Sequence, residues 1–278
     1  MDLLISPDGM LGRAWGSLLT AAGRPFDTIT YPQFDLSKPE TLDAVSSKPY
    51  AHVINCAAWT DVDGAEDKEA EATVVNGDGV GELARRCAAV GSVLVHYSTD
   101  YVFDGNATTP YPVDAPHDPL NAYGRGKARG ETLIREAGEQ HLILRTSWLY
   151  APWGKNFVLT MRKLGVERER LTVVDDQRGR PTSAEHLAAV SAKLLEARAR
   201  GTLHVTDGGE CTWFDFASAI VATVNPNCVV EPCSSDAFPR PAKRPAYSVL
   251  DLTPTEAIVG PMPSWQENLA AVLRQVEA

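Results

Sequence analysis

The chain is 278 residues long, 44% apolar and 22% charged, which places it among ordinary globular proteins with room for one α/β domain and a smaller appended lobe. Its 36 acidic against 26 basic residues give a net charge of −10, a field that repels polyanions and argues against nucleic-acid or anionic-membrane partners. No apolar run approaches the roughly 18 residues that span a bilayer, and Met1-Asp2 leads straight into a strand without the basic start of a signal peptide, so a cytoplasmic protein is expected.

Leu3 to Ile5 reads as a short buried strand, and after Gly9 the apolar residues from Met10 to Leu19 recur at helical spacing. Phe26 to Tyr31 and His52 to Ala58 read as the second and third strands. An acidic, alanine-bearing stretch from Asp63 to Ala89 has helical character. Ser92 to Thr99 is the next strand, Tyr123 to Ala137 a helix, and His141 to Arg145 another strand. Strands rich in valine, leucine and isoleucine that alternate with helices imply βαβ crossovers and a doubly wound parallel sheet. Two proline-rich stretches, Pro110 to Pro119 and Pro226 to Pro245, cannot be central strands and read as ordered loops. Five cysteines without a Cys-x-x-Cys pair fit free thiols, and the six histidines form no metal constellation, so no metal is expected.

In such a sheet ligands bind beyond the carboxyl ends of the strands. Those ends here are Ser6-Pro7-Asp8-Gly9, Ala57-Ala58-Trp59-Thr60, Ser98-Thr99-Asp100-Tyr101 and Thr146-Ser147-Trp148. Tyr123 and Lys127 are four apart and share a helix face. A tyrosine with a pKa near 10 works poorly in acid–base chemistry at neutral pH unless a cation such as Lys127 favours its phenolate. Thr99 could supply a hydroxyl to a substrate carbonyl. Gly124, Gly126 and Gly130 each cost about 1 kcal/mol of helix propensity, so close packing against the sheet or a ligand must hold that segment helical.

The blocks VINCAAWTDVDGAE, YSTDYVFDG, DPLNAYGRGKARGE, LRTSWLYAPWGKNFV, VVDDQRGRPT and RPAYSVLD resemble, in order and spacing, those of the dTDP-4-dehydrorhamnose reductase family of extended short-chain dehydrogenases/reductases. The resemblance implies a Rossmann-type fold. Residues 1–150 would form the dinucleotide-binding domain with the catalytic residues, and 151–278 mainly a C-terminal substrate-binding lobe, partly interleaved with it. It implies NADPH- or NADH-dependent reduction of a 4-keto group on a dTDP-sugar, with Tyr123 as proton donor, Lys127 lowering its pKa and holding the nicotinamide ribose, and Thr99 orienting the carbonyl. Sugar contacts would fall on Thr60, Val62, Thr99, Tyr101, Tyr123 and Trp148. The cofactor would meet Ser6, Gly9, Met10, Leu11 and Gly12 of the turn, Asp35 and Leu36, and Ala57, Ala58, Tyr123 and Lys127. Arg178, Arg180, Arg240, Lys243 and Arg244 are candidates for the diphosphate, and family members associate through helices or the C-terminal region, which suggests a homodimer.

One block departs. The family's Gly-x-x-Gly-x-x-Gly turn reads Ser6-Pro7-Asp8-Gly9-Met10-Leu11-Gly12, so the glycine that permits the tight turn is missing. Pro7 disfavours helical backbone at Ser6, pushing it toward extended conformations, and offers no N–H to a phosphate. Weakened rather than abolished cofactor binding is expected. The second strand ends without an acid for a ribose 2′-hydroxyl or an arginine for a 2′-phosphate; Arg13 would favour NADPH, while Asp35 could equally meet the adenosine. Two other readings stand beside the reductase: a 4-ketoreductase for another dTDP-deoxysugar, and a non-catalytic, NADP-binding regulatory subunit on the same fold. The altered turn favours the regulatory reading, and the intact Thr99, Tyr123 and Lys127 disfavour it.

Overall fold

Short runs of β-branched and leucine side chains, bounded by glycine and proline turns, build one parallel sheet in this computed structural model, which describes residues 1–277. In chain order the first half contains β1 (Asp2–Ile5), α1 (Met10–Ala21), β2 (Phe26–Ile29), β3 (His52–Asn55), the short helices α2 (Gly64–Asp67) and α3 (Glu69–Thr73), α4 (Gly79–Ala89), β4 (Val93–Thr99), α5 (Ala122–Ala137) and β5 (His141–Thr146). The second half adds β6 (Leu149–Tyr150), α6 (Phe157–Glu167), β7 (Arg170–Val174), β8 (Arg178–Gly179), β9 (Thr182–Ser183), α7 (Ala184–Glu196), β10 (Gly201–His204), β11 (Cys211–Thr212), α8 (Trp213–Val224), β12 (Val229–Cys233), α9 (Thr253–Val259) and α10 (Trp265–Glu277).

The main sheet has the order β10-β5-β4-β3-β1-β2, with every pair parallel. The order reverses between β1 and β3, so the crevice that binds ligands in such sheets opens above these two strands. Period-two alternation divides the core. Leu4, Ile54 and Val95 pack with Trp15 of α1 and Leu187 of α7 on one face, while Leu3, Ile5, Val53 and Leu94 pack with Leu83 of α4 and Ile134 of α5 on the other.

Beyond Tyr150 the chain both leaves this layer and returns to it. Three two-stranded pairings, β6 with β9, β7 with β12 and β8 with β11, surround a separate core in which Tyr150, Val158, Phe216 and Trp265 are buried. In contrast, α7 packs on α1 and β10 completes the main sheet beside β5. The stretch expected to be loop from Pro226 contains β12, whose Pro232 sits in a two-stranded pairing, where one partner suffices and the missing N–H can face outward.

The helical stretch after Asp63 is also broken. Between α3 and α4 the backbone widens into a π turn at Val74–Asp78, which buries the Asn76 side chain completely. Its Oδ1 accepts from the Trp59 N–H at 2.9 Å and its Nδ2 donates to the Trp59 carbonyl at 2.9 Å. Such π turns are frequent at functional sites. This one clamps the loop that follows β3. Among the described residues no helix is long and apolar enough to cross a membrane.

Candidate active site

At the mouth of the β1–β3 crevice the turn after β1 is tighter than its sequence suggests. Ser6 has φ 58, the left-handed backbone that glycine normally supplies, and not the extended conformation expected before Pro7. Hydrogen bonds hold it there: the Ser6 N–H donates to the Ile29 carbonyl at 2.8 Å, and the Gly9 N–H donates to the Ser6 carbonyl at 3.3 Å. A Cβ on Gly12 would lie 2.0 Å from that same carbonyl oxygen, so Gly12 alone lets α1 sit against the turn. Gly9 is the N-cap of α1 without a side-chain cap, and the first turn carries no acid. The N–H groups that a helix leaves unpaired at its start therefore face the crevice mouth, as an anionic phosphate requires. These residues fit a dinucleotide pyrophosphate.

The cofactor-wall candidates Ala57 and Ala58 lie in the loop after β3, half-buried, with the Ala57 N–H held by Asn55 Oδ1 at 3.1 Å. Leu36 is buried. The Asp35 carboxylate is already engaged by the backbone N–H and hydroxyl of Ser37 at 2.9 and 2.6 Å and by Lys38 at 3.6 Å. Arg13 lies over the Trp153 ring, 5.0 Å from its centre, and the Trp153 indole N–H donates to the Met10 carbonyl.

Asn121 starts α5 by accepting the Gly124 N–H at 2.8 Å, while its own Nδ2 reaches the Lys243 carbonyl. The glycines of this helix serve close packing. Added Cβ atoms at Gly124 and Gly130 would lie 2.2 Å from the carbonyl oxygens of Tyr101 and Asn76. Tyr123 is thereby packed against the small cluster of Ala65 and Ala72 and edge-on to Tyr101 at 6.2 Å. Lys127, one turn on, is buried and donates to the Tyr97 carbonyl at 2.9 Å. Thr99 ends β4 beside them: its hydroxyl accepts the Tyr101 N–H at 3.2 Å and donates to Asp100 Oδ1 at 3.0 Å.

Charge follows from this burial. Desolvation pushes the Tyr123 phenol up, the nearby Asp100 carboxylate adds to it, and the Thr99 hydroxyl only partly opposes it. The lowering by Lys127 that the resemblance implies is not seen: burial dominates at Tyr123, and the Lys127 ammonium donates to a backbone carbonyl. Tyr123 is a protonated phenol at neutral pH. Burial brings Lys127 down to about 8 against the opposing pull of Glu131. It also raises Asp100 to about 6, countered by the Ser248 and Thr99 hydroxyls.

Next to Tyr101 a cleft of about 460 Å³ opens, lined among others by Asp63, Phe157, Trp213, Arg240 and Arg244. Thr60 is exposed and Val62 half-buried in the loop that leads to Asp63. Asp63 accepts hydrogen bonds from Arg244 and the Ala242 N–H and lies 3.9 Å from Arg240. Of the five basic candidates, Arg240 and Arg244 thus reach the cleft. Arg178 instead pairs with Glu210 at the surface, Arg180 is not among the cleft-lining residues, and the Lys243 side chain points to solvent. Trp148, at φ 48, stacks on Trp213 with ring centres 3.6 Å apart and would be struck by any side chain at Gly179.

A family model described as the RmlD substrate binding domain matches residues 1–278. A dTDP-4-dehydrorhamnose reductase of Burkholderia thailandensis is 38% identical over 294 residues, covering 99% of this chain and 98% of the relative. The chain belongs to the dTDP-4-dehydrorhamnose reductase family. Among solved structures, a family member from Clostridium acetobutylicum superposes with a TM-score of 0.96 at 36% identity, covering all of both chains. One from Bacillus anthracis, in complex with NADP, superposes with 0.93 at 34% identity, covering 99% of this chain and 98% of that one.

Beneath the catalytic face of this reductase-family chain lies a group that the sequence did not reveal. Glu131, fully buried on α5, accepts from Arg145 Nε at 2.9 Å and Nη2 at 2.7 Å, and from the Ser98 hydroxyl at 2.6 Å. His117 Nε2 is 3.0 Å from Glu131 Oε2 and 3.0 Å from Arg145 Nη2. Burial alone would raise the carboxyl, but Arg145, His117 and Ser98 hold it well below the usual range. Arg145, Ser98 and Glu131 come from β5, β4 and α5, so no local pattern announces them. Asn76 and Trp213 were equally silent, since their roles depend on the π turn and on stacking across lobes.

Proposed function

We propose that Thr99, Tyr123 and Lys127 form the catalytic group of an NAD(P)H-dependent reductase that converts dTDP-4-dehydro-L-rhamnose to dTDP-L-rhamnose. One observation carries the reading: a protonated tyrosine stands beside a threonine hydroxyl at the end of β4, next to a crevice shaped for a dinucleotide. A bound reduced nicotinamide supplies the hydride. Tyr123 then donates the phenolic proton to the C4 oxygen as charge develops there, and the Thr99 hydroxyl turns from Asp100 to the same oxygen. A phenol held protonated by burial favours this direction over oxidation of an alcohol, which needs phenolate. Lys127 lies one turn along the same helix face, and its ammonium is the donor for the nicotinamide ribose. The strand ends supply Trp148 and Tyr101 toward the sugar, and the C-terminal lobe supplies Arg240 and Arg244 toward the diphosphate.

The preserved Ser6 backbone and the buried Lys127 support a working enzyme over a non-catalytic subunit on the same fold. The test compares wild type with Tyr123→Phe on the dTDP-4-keto sugar. Turnover should fall by orders of magnitude while the dissociation constant for the reduced cofactor stays within about threefold. Equal turnover would remove Tyr123 from its role.

A further inference from the structure

The end of β2 offers neither an acid nor an arginine of its own: Ile29 is followed by Thr30, Tyr31 and Pro32. The turn after β1 supplies what is missing. Asp8 Oδ1 accepts a hydrogen bond from the Thr30 hydroxyl at 2.8 Å, which holds the carboxylate at the carboxyl end of β2. The main chain fixes the register there, since Ile5 pairs with Ile29 and the Ser6 N–H bonds the Ile29 carbonyl. Asp8 is exposed, and its Oδ2 has no hydrogen-bond partner among the described residues. In dinucleotide-binding sheets a carboxylate at the end of the second strand receives the adenosine ribose 2′-hydroxyl, whereas a 2′-phosphate there requires a cation.

We propose that Asp8 sets cofactor choice in this protein: its free carboxylate oxygen accepts the ribose 2′-hydroxyl and repels a 2′-phosphate, so NADH is the preferred partner and NADPH the weaker one. The assignment rests on the dinucleotide site proposed above. Among the described residues Asp8 is in no ion pair, and the basic side chains of the adjoining segments are engaged elsewhere. Arg13 is stacked on Trp153, Lys38 is paired with Asp35, and Thr30 is neutral. A phosphate entering here meets a fixed negative charge, while a hydroxyl meets a preplaced acceptor.

The test measures dissociation constants of NADH and NADPH for the full chain by energy transfer from tryptophan to the reduced nicotinamide, at low and high salt, in wild type, Asp8→Asn and Arg13→Ala. Asparagine keeps an oxygen for the Thr30 hydroxyl, so the turn stays intact. Wild type is expected to bind NADH at least about tenfold more tightly than NADPH, with the gap narrowing as salt screens the repulsion. Asp8→Asn should bring the two constants to within about threefold of each other, mainly by tightening NADPH. Equal or tighter NADPH binding by wild type, an unchanged ratio in Asp8→Asn, or selective loss of NADPH in Arg13→Ala would overturn the assignment while leaving the reductase reading intact. Failure of both cofactors to bind at millimolar concentration would overturn both.

Discussion

Replacing Glu131 by glutamine tests whether the buried charge group under the active site is what holds α5 against β4. The substitution keeps the volume but removes the charge that balances Arg145, which is only 2% exposed. It also turns an amide N–H toward a guanidinium that can only donate. Removing one partner of a buried ion pair costs roughly 3 to 5 kcal/mol, because the remaining charge is stranded in low dielectric. At about 2 to 4 °C per kcal/mol for a chain of this size, Tm should fall by about 6 to 20 °C. The sign of the pH dependence follows from the direction of the shift. Glu131 is held well below the usual carboxylate range in the folded protein, so its contribution is complete above the unfolded value of about 4.3 and is lost as pH falls through the lower folded value. The stability gap between wild type and Glu131→Gln, read from urea unfolding, should stay constant from neutrality to about pH 4.3 and close only below it. A double variant with Glu131→Leu and Arg145→Met should recover much of the loss, giving a coupling energy of about 2 kcal/mol. Turnover should fall as well, since Ser98 bonds Glu131 and immediately precedes Thr99. A Glu131→Gln protein within about 1 kcal/mol of wild type, with an unchanged acid limb, would refute this view of the group.

Three further outcomes are expected. Gly12→Ala places a methyl 2.0 Å from the Ser6 carbonyl oxygen, so α1 must move; titration should show cofactor affinity lowered by about tenfold or more, while Ser6→Gly changes it by less than about threefold because the serine already has the glycine-like backbone. Lys127 is brought to about 8 by burial, so its cation is present below that pH and lost above it. A pH–rate profile should decline through about 8, and Lys127→Met should be slower throughout and lack that limb. Asn76→Leu strands the Trp59 N–H and carbonyl in a partly buried site; calorimetry should show a loss of about 2 to 4 kcal/mol for two unpaired groups.

Much of this architecture is written in local pattern. Ser92 to Thr99 and His141 to Arg145 read as strands because a largely apolar run has one stable place, the interior of a parallel sheet. Strand ends then located Thr99, Ala57 and Trp148, and the spacing of Tyr123 and Lys127 put them on one helix face. The three glycines of α5 signalled an unusual contact but not its partner, which is carbonyl oxygen in two cases. Ser6 misled because the propensity of a residue before proline is a local average, whereas two backbone hydrogen bonds fix the actual φ. The Glu131 group, Asp8 with Thr30 and Asn76 with Trp59 were invisible for one reason. Each joins segments 14 to 33, 22 and 17 residues apart, and only the folded topology brings them together.

If the chain is a working reductase, hydride reaches C4 of the sugar and Tyr123 protonates the oxygen. This is tested most directly by supplying dTDP-4-dehydro-L-rhamnose with nicotinamide cofactor deuterated at the transferring position and following the label by mass spectrometry and NMR. Stoichiometric appearance of dTDP-L-rhamnose carrying deuterium at C4, abolished in Tyr123→Phe, is the predicted result. Tight cofactor binding without transfer of the label would make this chain a non-catalytic member of its family.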